Sequence, residues 1–127
     1  CNTVLAVKIL YEDMIKDGFS VCCIHGEMSK EERNEKYKMF SSGEERVLIS
    51  SDVTARGINI QQVSMVVNYE LTSNVHTYLH RIGRSGRWGR KGWAINFITR
   101  RDVPIIKRIE DFYKIDINPL PNDFVQA

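Results

Sequence analysis

Phe19 to Ile24 is a run of six residues in which only Ser20 is polar, set between two amphipathic stretches. A run this short, with no polar alternation, predicts a strand buried on both faces, as in a parallel sheet covered by helices on either side. Before it, Val4, Val7, Leu10, Tyr11, Met14 and Ile15 form a helical stripe within Thr3 to Lys16 that Gly18 stops. After it, His25-Gly26 ends the strand, and Ser29 with Glu32 reads as a capping box opening a helix through about Phe40 that Gly43 terminates. Further short strands are expected at Val47–Ile49, Val63–Asn68 and Trp93–Ile98, and a closing helix at Val103–Tyr113 behind an Asp102 cap. Strand and helix alternate throughout. The expected fold is α/β, a three-layer sandwich around a mainly parallel sheet. At 127 residues and 43% hydrophobic composition, the chain can bury one core, so a single domain over 1–127 is expected.

In such sheets ligands gather at the carboxyl ends of the strands. His25-Gly26, Ser50-Ser51-Asp52 and Asn68-Tyr69-Glu70 each follow a predicted strand. Ser51 and Asp52, with Ala55-Arg56-Gly57 beyond them, put a hydroxyl, an acid and a glycine at one edge. An ordinary cap and turn would account for the same residues.

The segment His80-Arg81-Ile82-Gly83-Arg84-Ser85-Gly86-Arg87 carries the chemistry. Val75, Tyr78, Leu79 and Ile82 mark the buried face of a helix, with Ser73 as its N-cap and Gly83 ending it in a left-handed turn. That helix delivers Arg84 and Arg87 into a glycine-loosened turn, and guanidinium is planar, always charged and suited to phosphate. From Leu71 to Arg101 there is no acidic residue, against seven basic ones: Arg81, Arg84, Arg87, Arg90, Lys91, Arg100 and Arg101. The overall charge of +2 therefore hides a segregation of sign that marks a polyanion site, nucleotide phosphate or nucleic-acid backbone.

Several classes are disfavoured. No phosphate-cradling G-x-x-x-x-G-K-[ST] loop and no paired-acid magnesium signature occurs, so the arginines describe half of an active site. Cys1, Cys22 and Cys23 make neither a disulfide framework nor a metal spacing, and Cys22-Cys23 read as buried thiols in a reducing compartment. The three histidines lack zinc-site neighbours, and no metal held by this domain alone is expected. No run is long and apolar enough for a membrane span, and no signal or transit segment is visible.

Several ordered segments resemble the motifs of the second RecA-like domain of DEAD-box ATP-dependent RNA helicases, above all the initiation factor 4A branch. Cys1-Asn2-Thr3 resembles the tail of motif IV, His25-Gly26-Glu27-Met28 through Arg33 motif IVa, and Ser51 through Asn59 motif V. His80 to Arg87 resembles motif VI, followed by Gly89-Arg90-Lys91-Gly92 and Ala94-Ile95-Asn96-Phe97, while Gln61-Gln62-Val63-Ser64 points to the initiation factor 4A branch. The resemblance implies that Arg84 and Arg87 reach the γ-phosphate of ATP held, with Mg2+, mainly by the first helicase domain. It implies that His80 links motif VI to that domain, and that Gly57 and Asn59 lie by the ribose. Asn2, Thr3, Gly26, Arg33 and Ser51 would contact the RNA sugar-phosphate backbone irrespective of sequence, and Asp52 and Arg56 would organise their loop. Implied partners are RNA, the N-terminal helicase domain of the same protein and an initiation factor 4G-like HEAT-repeat scaffold. A monomer in the cytoplasm, or the nucleus, acting in translation initiation is the implied setting.

The departures matter as well. Asn59 stands where the family usually has Asp, Ser51 where it has Thr, Lys30 where it has Gln, and Glu70 and Thr72 where it has Asp and Pro. The loss of charge at Asn59 favours an alternative reading, a non-catalytic RNA-binding or scaffold module; both arginines and His80 favour the enzyme. Cys1 falls where the family's first strand of this domain has just ended, so that strand is expected to be missing. The fragment by itself is expected to be inactive.

Overall fold

A computed structural model describes residues 1–52, 63–86 and 92–123. They fall into two compact units, Cys1–Gln62 and Val63–Ala127.

The first unit runs α1 (Val4–Lys16), β1 (Val21–Ile24), α2 (Lys30–Ser41) and β2 (Val47–Ser50). Thr3 caps α1, its hydroxyl oxygen accepting from the Ala6 N–H at 3.1 Å. The helix closes in a Schellman turn: Gly18 takes φ +88°, its N–H donates to the Ile15 carbonyl and the Phe19 N–H to that of Met14. This turn takes Phe19 and Ser20 out of the predicted strand, and Phe19 is exposed. All four residues of β1 are buried, as expected of a strand covered on both faces. β1 pairs parallel to β2 with Val21 opposite Val47 and Ile24 opposite Ser50. Val7, Val21, Cys23 and Ile49 form the core between α1 and the strands. The Ser29 hydroxyl caps α2 by accepting from the Glu32 N–H at 3.1 Å.

The second unit runs β3 (Met65–Asn68), α3 (Val75–Ile82), β4 (Trp93–Asn96), a 3-10 turn (Arg100–Asp102) and α4 (Val103–Tyr113). β3 and β4 are parallel, with Met65 opposite Trp93 and Asn68 opposite Asn96. Leu71, Tyr78 and Ile109 make the core that holds α3 on α4, and the Tyr113 hydroxyl donates to the Val75 carbonyl at 2.6 Å. Complete burial of Ile109 stabilises this packing by about 1.5–3 kcal/mol.

Four local expectations need correction. The cap of α3 is Asn74, one residue beyond Ser73. Gly83 is right-handed at φ −62°; the left-handed residue is Gly86 at φ +90°. Leu79 is half exposed, because only Val75, Tyr78 and Ile82 of its stripe reach the core. Asp102 does not cap α4: its carboxylate turns back to accept from the Thr99 N–H and hydroxyl, closing the 3-10 turn. Among the described residues no helix is long and apolar enough to cross a membrane.

Candidate functional site

In the first unit, the parallel pairing of β1 and β2 brings the loops after both strands to one edge. Gly26 follows β1 and Ser51 follows β2, one residue past the Ile24–Ser50 pair. The backbone nitrogen of Cys1 donates to the Ser50 carbonyl at 2.9 Å, which puts Asn2 and Thr3 at the same edge. Thr3 already accepts one bond on its hydroxyl oxygen as a helix cap, and its O–H proton can still be donated. Ser51 is buried. A Cβ built on Gly26 would meet no atom within 4 Å, so the space beside this backbone is open.

Arg33 sits in the first turn of α2, whose cap Ser29 follows directly on that loop. Its Nε is buried and has no hydrogen-bond partner. A buried guanidinium nitrogen left unpaired is costly, and an oxyanion is the group that would satisfy it. Lys8 of α1 holds the loop from the other side, its Nζ 2.9 Å from both carboxylate oxygens of Glu27. The hydrogen bond and charge of Lys8 lower the Glu27 pKa. His25, buried beneath, accepts the Glu27 N–H on Nδ1 at 3.2 Å.

In the second unit, His80 and Arg84 line an open cleft of about 270 Å³ together with His76, Leu79 and Gly83. The backbone of Arg84 is pinned by Val63, which lies before β3. The Val63 N–H donates to the Arg84 carbonyl at 2.7 Å, and the Gly86 N–H donates to the Val63 carbonyl at 2.6 Å. The Ser85 hydroxyl closes the turn on the Ile82 carbonyl at 2.7 Å. Gly92 packs so closely that any side chain there would collide with the backbone of Ser85 and Gly86. The arginine turn is therefore held by main chain on both sides. A guanidinium and an imidazole facing one cleft suit phosphate oxygens; they are the wrong donor set for a cation such as Mg2+.

Arg81, one of the seven residues of the basic block, has a different task. Its Nη1 donates to the Glu70 carbonyl at 2.7 Å and to Asn68 Oδ1 at 3.1 Å, within its own unit. Arg56, Gly57, Asn59 and Arg87 lie outside the described residues. The structure thus gathers Asn2, Thr3, Gly26 and Ser51 at one strand edge, sets Arg33 one turn into the helix that follows it, and gathers His80 and Arg84 in one cleft. Residue pattern alone missed His76 in that cleft and the buried Arg33 Nε. Among the described residues no group of three or more His, Cys, Asp or Glu could hold a metal ion.

Residues 1–89 match the family model described as the helicase conserved C-terminal domain. ATP-dependent RNA helicase FAL1 of Saccharomyces cerevisiae is 52% identical over 126 residues, covering 99% of this chain and 32% of FAL1. Eukaryotic initiation factor 4A of Caenorhabditis elegans is 51% identical over 121 residues, covering 95% of this chain and 30% of its own length. The chain thus spans about a third of the curated relatives it matches. Among solved structures, the C-terminal domain of the DEAD-box protein Dbp5 superposes with a TM-score of 0.86 at 37% identity, covering 98% of this chain and 74% of that one.

Proposed function

The chain belongs to the helicase conserved C-terminal domain family, as a RecA-like DEAD-box domain similar to FAL1 and initiation factor 4A, and from that premise we propose that it is one half of a two-domain, ATP-dependent RNA helicase. In this reading it supplies arginines to ATP bound by the first helicase domain and grips the RNA backbone. The observation that carries the reading is that His80 of α3 and Arg84, on a turn fixed by Val63, line one cleft.

The division of labour follows from the groups present. ATP with Mg2+, held by the first domain, supplies the phosphoryl group. Arg84, joined by Arg87, neutralises charge on the phosphate oxygens as the bond to the leaving group lengthens, a contribution that typically accounts for ~10³–10⁵ in rate. Guanidinium does this without any proton changing place. His80 connects the arginine turn to the facing domain, so that closure and nucleotide are coupled. Gly57 and Asn59 serve the ribose side, and Asp52 and Arg56 order their loop.

At the other edge, Arg33 and Ser51 hold phosphate oxygens, Gly26 lets the RNA backbone come close, and Asn2 and Thr3 extend the track. None of these groups reads a base, so binding is independent of sequence and falls with salt. Closure with both ligands clamped between two domains would bend one strand and separate a short duplex. A monomer working in translation initiation with an initiation factor 4G-like HEAT-repeat scaffold, in the cytoplasm or nucleus, is the setting consistent with the initiation factor 4A likeness.

The reading makes the chain dependent on its partner domain. The purified 127-residue chain should show no RNA-stimulated ATP hydrolysis, and the full-length protein should show it. Turnover by the chain alone would overturn the two-domain assignment.

A further inference from the structure

Beneath α3 lies a chain of hydrogen bonds whose direction is set by one group. Arg81 can only donate, so Asn68 Oδ1 must be its acceptor at 3.1 Å. The Asn68 amide is then oriented, and its Nδ2 donates to Asn96 Oδ1 at 2.7 Å. That orients the second amide, whose Nδ2 donates to the Tyr78 hydroxyl oxygen at 3.1 Å. Asn68 and Asn96 face each other in register across the parallel strands β3 and β4. Asn68 is 1% exposed and Tyr78 2% exposed, with Asn96 half-buried between them, so the Asn68 amide is screened from competing water.

Both ends of the relay sit on α3, at Tyr78 and Arg81, three residues apart and on the same side of the helix. At 3.6 residues per turn, His76 and His80 fall on the opposite side, the side that lines the cleft, and Arg84 follows on the turn just beyond the helix end. Two grips on the inner side fix how far the helix is rotated about its axis. A single grip, or an apolar contact, would leave that rotation softer, because apolar packing is non-directional. Side-chain hydrogen bonds through these two asparagines tie α3 to β3 and β4, and a further one ties it to the Glu70 carbonyl just beyond β3.

We propose that Tyr78 and Asn96 are positioning residues for phosphoryl transfer: through the Asn68–Asn96 pair they set the rotation of α3, which aims His80 and leads directly into the turn that presents Arg84. The inference rests on the reading of Arg84 as a phosphate-contacting residue. A misaimed guanidinium still attracts ATP as a charge but meets the transferring group badly, so the loss falls on kcat and not on KM.

The test uses the full-length protein with Tyr78→Phe, Asn96→Ala, Arg84→Lys and the two doubles with Arg84→Lys. Steady-state RNA-stimulated ATP turnover, nucleotide-free RNA affinity and the thermal midpoint are measured for each. Tyr78→Phe removes one oxygen and should lower kcat about five- to tenfold with KM for ATP and RNA affinity unchanged. Asn96→Ala should act in the same direction. In the Arg84→Lys background both substitutions should cost almost nothing further, since the group they aim is already gone. Because each kcat is taken well below the variant's midpoint, a merely weakened fold leaves it unmoved. Unchanged kcat in both single variants, or losses that multiply with that of Arg84→Lys, overturns the positioning role while leaving Arg84 intact. If Arg84→Lys itself leaves turnover untouched, the reading of Arg84 fails, and the positioning role with it.

Discussion

Asn74 Oδ1 accepts two backbone N–H groups, those of His76 at 2.9 Å and Thr77 at 3.0 Å. One side-chain oxygen thus satisfies two of the four donors that a helix start leaves orphaned. Asn74→Ala should cost ~1 kcal/mol of stability, measured by urea denaturation, whereas Ser73→Ala should cost less than half of that. Equal losses would place the cap at Ser73 after all.

That one-residue shift shows where sequence reasoning reaches its limit. Ser73 and Asn74 are both good caps, and only the backbone path out of Thr72 decides between them. The buried run at β1, the Ser29 cap and the arginine turn were legible because each is written in contiguous residues. Leu79 was misjudged because a helical period identifies a stripe but not its edges. The Asn68–Asn96 pair was out of reach: its members are 28 residues apart and meet only through strand register. Arg33 was legible as a candidate from motif IVa, but the burial of its Nε was not.

Burial pushes the Cys22 thiol from 9.0 up to about 11, with Glu45 adding to the effect, and raises Cys23 in the same direction. The Cys22 thiol points at the carbonyls of Lys36 and Val47, both 3.6 Å away. A folded-state pKa above the unfolded value means that the native chain holds protons the unfolded chain has released. The stability this contributes is complete below pH 9 and is lost as pH rises through about 11. The urea midpoint of the wild type should therefore fall more steeply between those limits than that of Cys22→Ala. Parallel curves would contradict the burial of this thiol.

Arg33 is expected to spend its unpaired Nε on an RNA phosphate. In the full-length protein, Arg33→Ala should weaken binding to unrelated single-stranded RNAs equally and reduce the salt dependence by about one ion. Its fold should be no weaker, since a buried unsatisfied donor is removed with the side chain. Losses confined to particular RNA sequences would show a base contact in place of a phosphate one.

The account stands on Arg84 acting on phosphate across a domain boundary, and Arg84→Lys in the full-length protein tests that most directly. Lysine keeps the charge but not the planar fork, so RNA-stimulated ATP turnover should fall at least ~10²-fold while nucleotide-free RNA affinity stays the same. Turnover and RNA affinity falling together would make Arg84 a backbone contact for RNA, and the central claim would be wrong.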